Sequence, residues 1–138
     1  MGQVKILLIE DSAEDIELTR EAFLELAPTV EVLSARDGAA AMQMLRSDED
    51  PPSLILLDLN LPRKSGREVL REIKSDPKLS TIPVIILTTS SARDDVVEAY
   101  QNHANCYLTK PLHFEQFLEQ MRSLHRFWGE LALLPPAG

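Results

Sequence analysis

The feature that most constrains this chain is a rhythm of five short apolar runs, at residues 4–9, 30–33, 54–57, 84–87 and 106–108, separated by longer stretches of mixed polarity. The first, third and fourth runs are almost unbroken in apolar character, as central strands of a parallel sheet covered on both faces must be. Between them the apolar residues recur at helical intervals. Val69, Leu70 and Ile73 form one stripe, and Phe114, Phe117, Leu118, Met121 and Leu124 another. Ile16, Phe23 and Leu26 mark an earlier helix, and Ala41, Met44 and Leu45 a shorter one. Ser12 and Asp37 stand where they can cap the first two helices, while Pro51, Pro52 and Pro83 stand just before strands. Strands alternating with helices predict a doubly wound α/β fold, a five-stranded parallel sheet with helices on both faces. The pattern alone leaves the strand order open.

The 138 residues suffice for one domain with one ordinary core. A hydrophobic fraction of 44% with 26% charged residues is that of a globular protein. No apolar stretch approaches the roughly 18 residues of a membrane span. The start, Met1, Gly2, Gln3, lacks both the apolar core of a signal peptide and a myristoylation pattern, so a cytoplasmic protein is expected. A net charge of −8, with its 14 basic residues scattered, disfavours nucleic acid as a partner. Cys106 is the lone cysteine, which leaves no disulfide framework or thiolate metal site within one chain.

In doubly wound sheets, ligands bind beyond the carboxyl ends of the strands. The first run ends in Glu10 and Asp11, the third in Asp58, the fourth in Thr88 and Thr89, the fifth in Lys110 and Pro111; only the second ends blandly, in Ser34 and Ala35. Acid, acid, hydroxyl and amine would therefore converge on one crevice. Three clustered carboxylates repel one another unless a cation lies among them. An oxygen-only set without His or Cys suits Mg²⁺. A carboxylate is also a competent nucleophile toward a phosphoryl group, and Lys110 and the metal would neutralise the charge that moves. Thr88 offers a hydroxyl to the phosphoryl oxygens.

Several pieces carry a family resemblance: Leu8-Ile9-Glu10-Asp11; Asp58-Leu59-Asn60-Leu61-Pro62 with Gly66; residues 83–88; and Tyr107-Leu108-Thr109-Lys110-Pro111. Thr88 lies 30 positions after Asp58, and Lys110 lies 22 further on. In this order and spacing they resemble the response-regulator receiver domain over residues 4–125. The resemblance implies strand order 2-1-3-4-5 and a single-domain response regulator of a two-component phosphorelay. Asp58 would be the phosphoacceptor, and Glu10, Asp11, Asp58 and the backbone carbonyl of Asn60 would hold Mg²⁺. Thr88 and Lys110 would contact the phosphoryl group, and Tyr107 would be the aromatic that follows the switch. It also implies a cis bond between Lys110 and Pro111. More narrowly, the segment from Asp58 to Leu70, the segment from His103 to Pro111, and Phe127-Trp128 look like the small regulators paired with bacterial phytochrome-type histidine kinases. Those usually carry Asp where this chain has Ser65, a loop change that leaves the acceptor intact.

Read singly, the acids are solvated strand ends, the threonines good strand formers and Lys110 a loop residue; only their agreement points to a site. His103, His113 and His125 show no ligand spacing. The domain is expected over 1–125, followed by an apolar tail over 126–138. The apolar load of that tail, with Tyr100 and Tyr107, suggests a surface for a homodimer or another partner rather than a fold-back onto the last helix. No output domain is expected beyond the receiver, so the effect should come from binding, from relay, or from draining a kinase's phosphate. A phosphoacceptor switch catalyses only its own phosphorylation and dephosphorylation, and no enzyme turnover is expected. A phosphatase of the haloacid-dehalogenase type would need an acid where Asn60 stands. A flavodoxin-like carrier would want hydroxyls, not Glu10 and Asp11, after its first strand.

Overall fold

The computed structural model describes residues 4–47 and 50–135; the start at Met1–Gln3 and the last three residues of the 126–138 tail lie outside the described residues. Five strands, β1 (Lys5–Ile9), β2 (Glu31–Ala35), β3 (Leu54–Leu57), β4 (Val84–Thr88) and β5 (Cys106–Thr109), alternate with α1 (Ala13–Leu26), α2 (Gly38–Ser47), α3 (Gly66–Ser75), α4 (Arg93–Gln101) and α5 (Phe114–Leu124). All neighbours pair in parallel, in the order β2-β1-β3-β4-β5. The three most apolar runs of the sequence are thus the three inner strands.

The pleat divides these strands between two cores. Leu7, Ile9, Ile55, Leu57, Val84 and Ile86 face the side covered by α2, α3 and α4. Ile6, Leu8, Leu54, Leu56, Ile85 and Leu87 face α1 and α5. Each such Leu or Ile, once buried, contributes about 1.5–3 kcal/mol of transfer free energy, so the sheet centre is the most strongly fixed part of the molecule. Everything carried on its carboxyl ends inherits that rigidity.

Local signals hold at the helix starts. Ser12 Oγ accepts from the Asp15 N–H at 3.2 Å, and Asp37 Oδ1 accepts from the Ala40 N–H at 2.7 Å. Gly66 begins α3 where a Cβ would lie 2.2 Å from the Asp58 carbonyl oxygen and 2.6 Å from Leu59 Cα. Only glycine lets the helix come that close to the loop after β3.

The carboxyl-terminal helix departs from the sequence reading at both ends. Phe114, first of its predicted stripe, is 40% exposed, because it enters the helix before the face turns toward the sheet. At residue 125 the winding changes from α to π and continues over His125–Leu131. Trp128 there packs, half-buried, against the core on the α1–α5 side. Its indole closes the end of the core formed by Val4, Ile6, Phe23 and Leu54, which would otherwise meet water. Phe127, at 52% exposure, remains on the surface and meets Trp128 edge to face, with ring centroids 5.1 Å apart. Among the described residues no helix is long and apolar enough to cross a membrane.

Candidate functional site

The crevice is built by the ends of β1, β3, β4 and β5. Parallel pairing brings those ends level. The Asp58 N–H donates to the Ile9 carbonyl at 3.0 Å and the Lys110 N–H to the Thr88 carbonyl at 2.7 Å, carrying the ladder just past the regular strands. The side chains leave the sheet there. Glu10, Asp58 and Thr88 are buried, while Asp11 is exposed at the mouth.

Asp58 is gripped on both carboxylate oxygens. Thr88 Oγ1 donates to its Oδ1 at 2.8 Å, the Asn60 N–H to the same oxygen at 3.0 Å, and Lys110 Nζ to its Oδ2 at 3.0 Å. Asn60 itself is exposed, and its side chain is not needed for that bond. A carboxylate this buried would be costly without such partners.

Lys110 is the hub. Its ammonium donates to Glu10 Oε1, to Asp15 Oδ2 at 2.8 Å and to Asp58 Oδ2 at 3.0 Å, which uses all three of its donors. Burial pulls its pKa down, but the bonds to Asp15 and Glu10 and the charges of Glu10 and Asp58 outweigh it, and the net shift is upward. Burial pushes Glu10 up to about 7, against the lowering pull of Lys110 and of the Ser12 N–H, with the charge of Asp58 adding to the rise. Clustered buried acid gathered around one cation is a site that demands positive charge.

Glu10, Asp11 and Asp58 each offer an oxygen, and these oxygens lie within 4.8 Å of one another. Three oxygen ligands at one mouth, with Asp11 in water, fit Mg²⁺, which binds a few carboxylates and keeps several of its waters. Thiolate and imidazole are lacking in this set, so it does not suit zinc.

The structure therefore brings together Glu10, Asp11, Asp58, Thr88 and Lys110, all expected from the sequence. It corrects one expectation: the described residues hold no cis peptide bond, so Lys110 and Pro111 are joined in trans. The trans form is the intrinsically favoured one, and the amine reaches Asp58 from it, so no cis geometry is needed to aim the lysine. Tyr107 lies beside the crevice, half-buried. Its hydroxyl donates to the Ser90 carbonyl at 2.8 Å, and its own N–H donates to the Tyr100 hydroxyl at 3.1 Å. Tyr100 is 48% exposed. Sequence reasoning missed Asp15, in the first turn of α1, whose carboxylate accepts from Lys110 Nζ at 2.8 Å.

Known proteins are similar to this chain over nearly its whole length. The model of the family described as the response regulator receiver domain matches residues 6–122. Response regulator Rcp1 of Synechocystis is 46% identical over 137 residues, covering 96% of this chain and 93% of the relative. Among solved structures, the phosphorylated cyanobacterial phytochrome response regulator RcpA superposes with a TM-score of 0.93 at 45% identity, covering 98% of this chain and 100% of that one. The Mn²⁺-bound form of Rcp1 gives 0.90 at 44%, covering 96% and 99%. Neither a dehalogenase-type phosphatase nor a flavodoxin-like carrier is favoured by these likenesses. With the family's model spanning nearly the whole sheet and relatives alike from end to end, the chain belongs to the response regulator receiver family.

Proposed function

We propose that Asp58 accepts a phosphoryl group from a sensor histidine kinase and that the modified site changes the surface this protein offers to partners. Receiver domains bind Mg²⁺ at an acidic pocket, and Glu10, Asp11 and Asp58 supply one. In this reading the Asn60 carbonyl completes the ligand set. The metal, when bound, screens the charge on the transferring group. The step balances simply: a carboxylate oxygen of Asp58 forms the new P–O bond, the P–N bond to the kinase imidazole breaks, and the imidazole leaves with the electron pair. Thr88 and Lys110 then find phosphoryl oxygens where they now hold the carboxylate. Tyr107 follows, because it is tied to Ser90, two residues beyond Thr88. A signal carried by an ATP-fed kinase sets the protein to work in the cytoplasm, as a switch that catalyses only its own phosphorylation and dephosphorylation.

The observation that carries this reading is the grip on Asp58, a 7%-exposed carboxylate held by a hydroxyl, an amide and an ammonium. Acetyl phosphate with Mg²⁺ should add one phosphoryl group by intact mass, and chelator should abolish the addition. Equal labelling of Asp58→Asn would sink the assignment.

The relatives named for phytochrome systems favour a phytochrome-type kinase as donor. A second surface supports self-association. Beside β5 and α5 lies a groove of about 410 Å³ lined by Cys106, Leu108, Leu124, Phe127 and Trp128, with exposed Tyr100 on α4. An isologous pair through α4, β5, α5 and the tail at 126–138 would bury these aromatics. Sedimentation of the full chain at high micromolar concentration, with and without beryllium fluoride, should show a dimer in at least one state. A monomer in both would leave the groove to a different protein.

A further inference from the structure

We infer that Asp15 is a positioning residue that competes with the bound phosphoryl group for the Lys110 ammonium, and so sets how tightly the phosphorylated state is held. This deepens the reading above and rests on Asp58 being the acceptor.

Asp15 is held in place by the first turn of α1. Its N–H donates to Ser12 Oγ at 3.2 Å, and its carbonyl accepts from Thr19 Oγ1 at 2.8 Å. From there its carboxylate reaches Lys110 Nζ at 2.8 Å, closer than Asp58 at 3.0 Å. The lysine side chain is 12% exposed and that of Asp15 38%. The pair is therefore screened less than a surface ion pair, though more than a buried one.

The three carboxylates around Lys110 differ in what else can claim them. Glu10 and Asp58 belong to the oxygen set suited to a metal, and Asp15 does not. Glu10 and Asp58 would share their charge with a divalent cation held by that set, and of the three carboxylates on Lys110 only the demand of Asp15 on the ammonium would be undiminished. Lys110 has no spare donor. A phosphoryl oxygen gains the ammonium only as far as the existing partners give it up, and Asp15 gives up least. Phosphoryl affinity then reflects the difference between two claims on one cation.

Calorimetric titration with beryllium fluoride in Mg²⁺ tests this on six chains: parent, Asp15→Asn, Asp15→Glu, Lys110→Ala, the Asp15→Asn/Lys110→Ala double variant and Asp58→Asn. Asp15→Asn should bind the mimic roughly three- to ten-fold tighter, the scale of one partly screened charge pair. That gain should vanish in the Lys110→Ala background, and Asp15→Glu should restore parental affinity. Unchanged or weaker binding by Asp15→Asn would overturn the inference. So would an equal gain in both backgrounds, which assigns the effect to plain charge repulsion. Failure of the parent itself to bind, or equal binding by Asp58→Asn, would instead fault the acceptor assignment, so the two failures are told apart.

Discussion

Helices α3 and α4 cover the same side of the sheet and are held there by opposite means. In α3, Gly66, Val69, Leu70 and Ile73 are buried, and the helix is a structural wall of the core. In α4 only Ala99 is buried. Polar links supply what its packing does not. Arg67 of α3 donates to Asp95 at 2.7 Å and pairs with Glu98 at 3.0 Å, while Ser90 Oγ donates to the other oxygen of Asp95 at 2.5 Å. Hydrophobic burial is stiff and all-or-none; half-buried ion pairs such as Arg67–Asp95 are weaker and more easily exchanged. A phosphoryl group can redistribute only contacts whose cost is small, so α4 is the element that can answer the site, and α3 is the frame against which it moves.

Truncating one aliphatic side chain in each helix gives the largest contrast. Ile73→Ala should cost about 2–5 kcal/mol in denaturant unfolding, as deletion from a filled core does. Val97→Ala, at a side chain 43% exposed, should stay within about 0.5 kcal/mol. Similar losses at the two positions would break the distinction. A smaller and more selective effect is expected from Arg67→Gln. Global unfolding should barely change, while amide exchange in α4 should quicken severalfold relative to α3. Faster exchange in both helices would mean that Arg67 steadies the wall as well as the movable element.

The same contrast explains what could be read in the sequence. Ile55-Leu56-Leu57-Asp58 announces an inner strand and its terminal acid together, because burial on both faces leaves no room for polar residues until the strand ends. Gly66 is equally readable, since only close backbone approach demands it. Helix α4 offers no stripe at all: Arg93, Asp94, Asp95 and Glu98 are polar because the helix is not buried. Asp15 escaped for another reason. An acid in a first helical turn is stabilised there by the helix dipole alone, so nothing in its type announced a bond to a residue 95 positions away. The trans bond before Pro111 escaped because the lysine's aim can be met from either isomer, and sequence does not encode which one the crevice selects.

The chain has one tryptophan, and the π-wound extension of α5 sets it at the amino ends of the strands, against Val4, Ile6, Phe23 and Leu54. The acidic crevice lies at the carboxyl ends, and the residue that follows Asp58 is Leu59, which does not emit. Indole fluorescence in this protein is therefore a gauge of whether α5 stays seated on α1, read far from the chemistry. Emission should report melting of the fold and, through the groove that Trp128 lines beside Phe127, any pairing of copies, while metal in the distant crevice leaves it nearly unchanged.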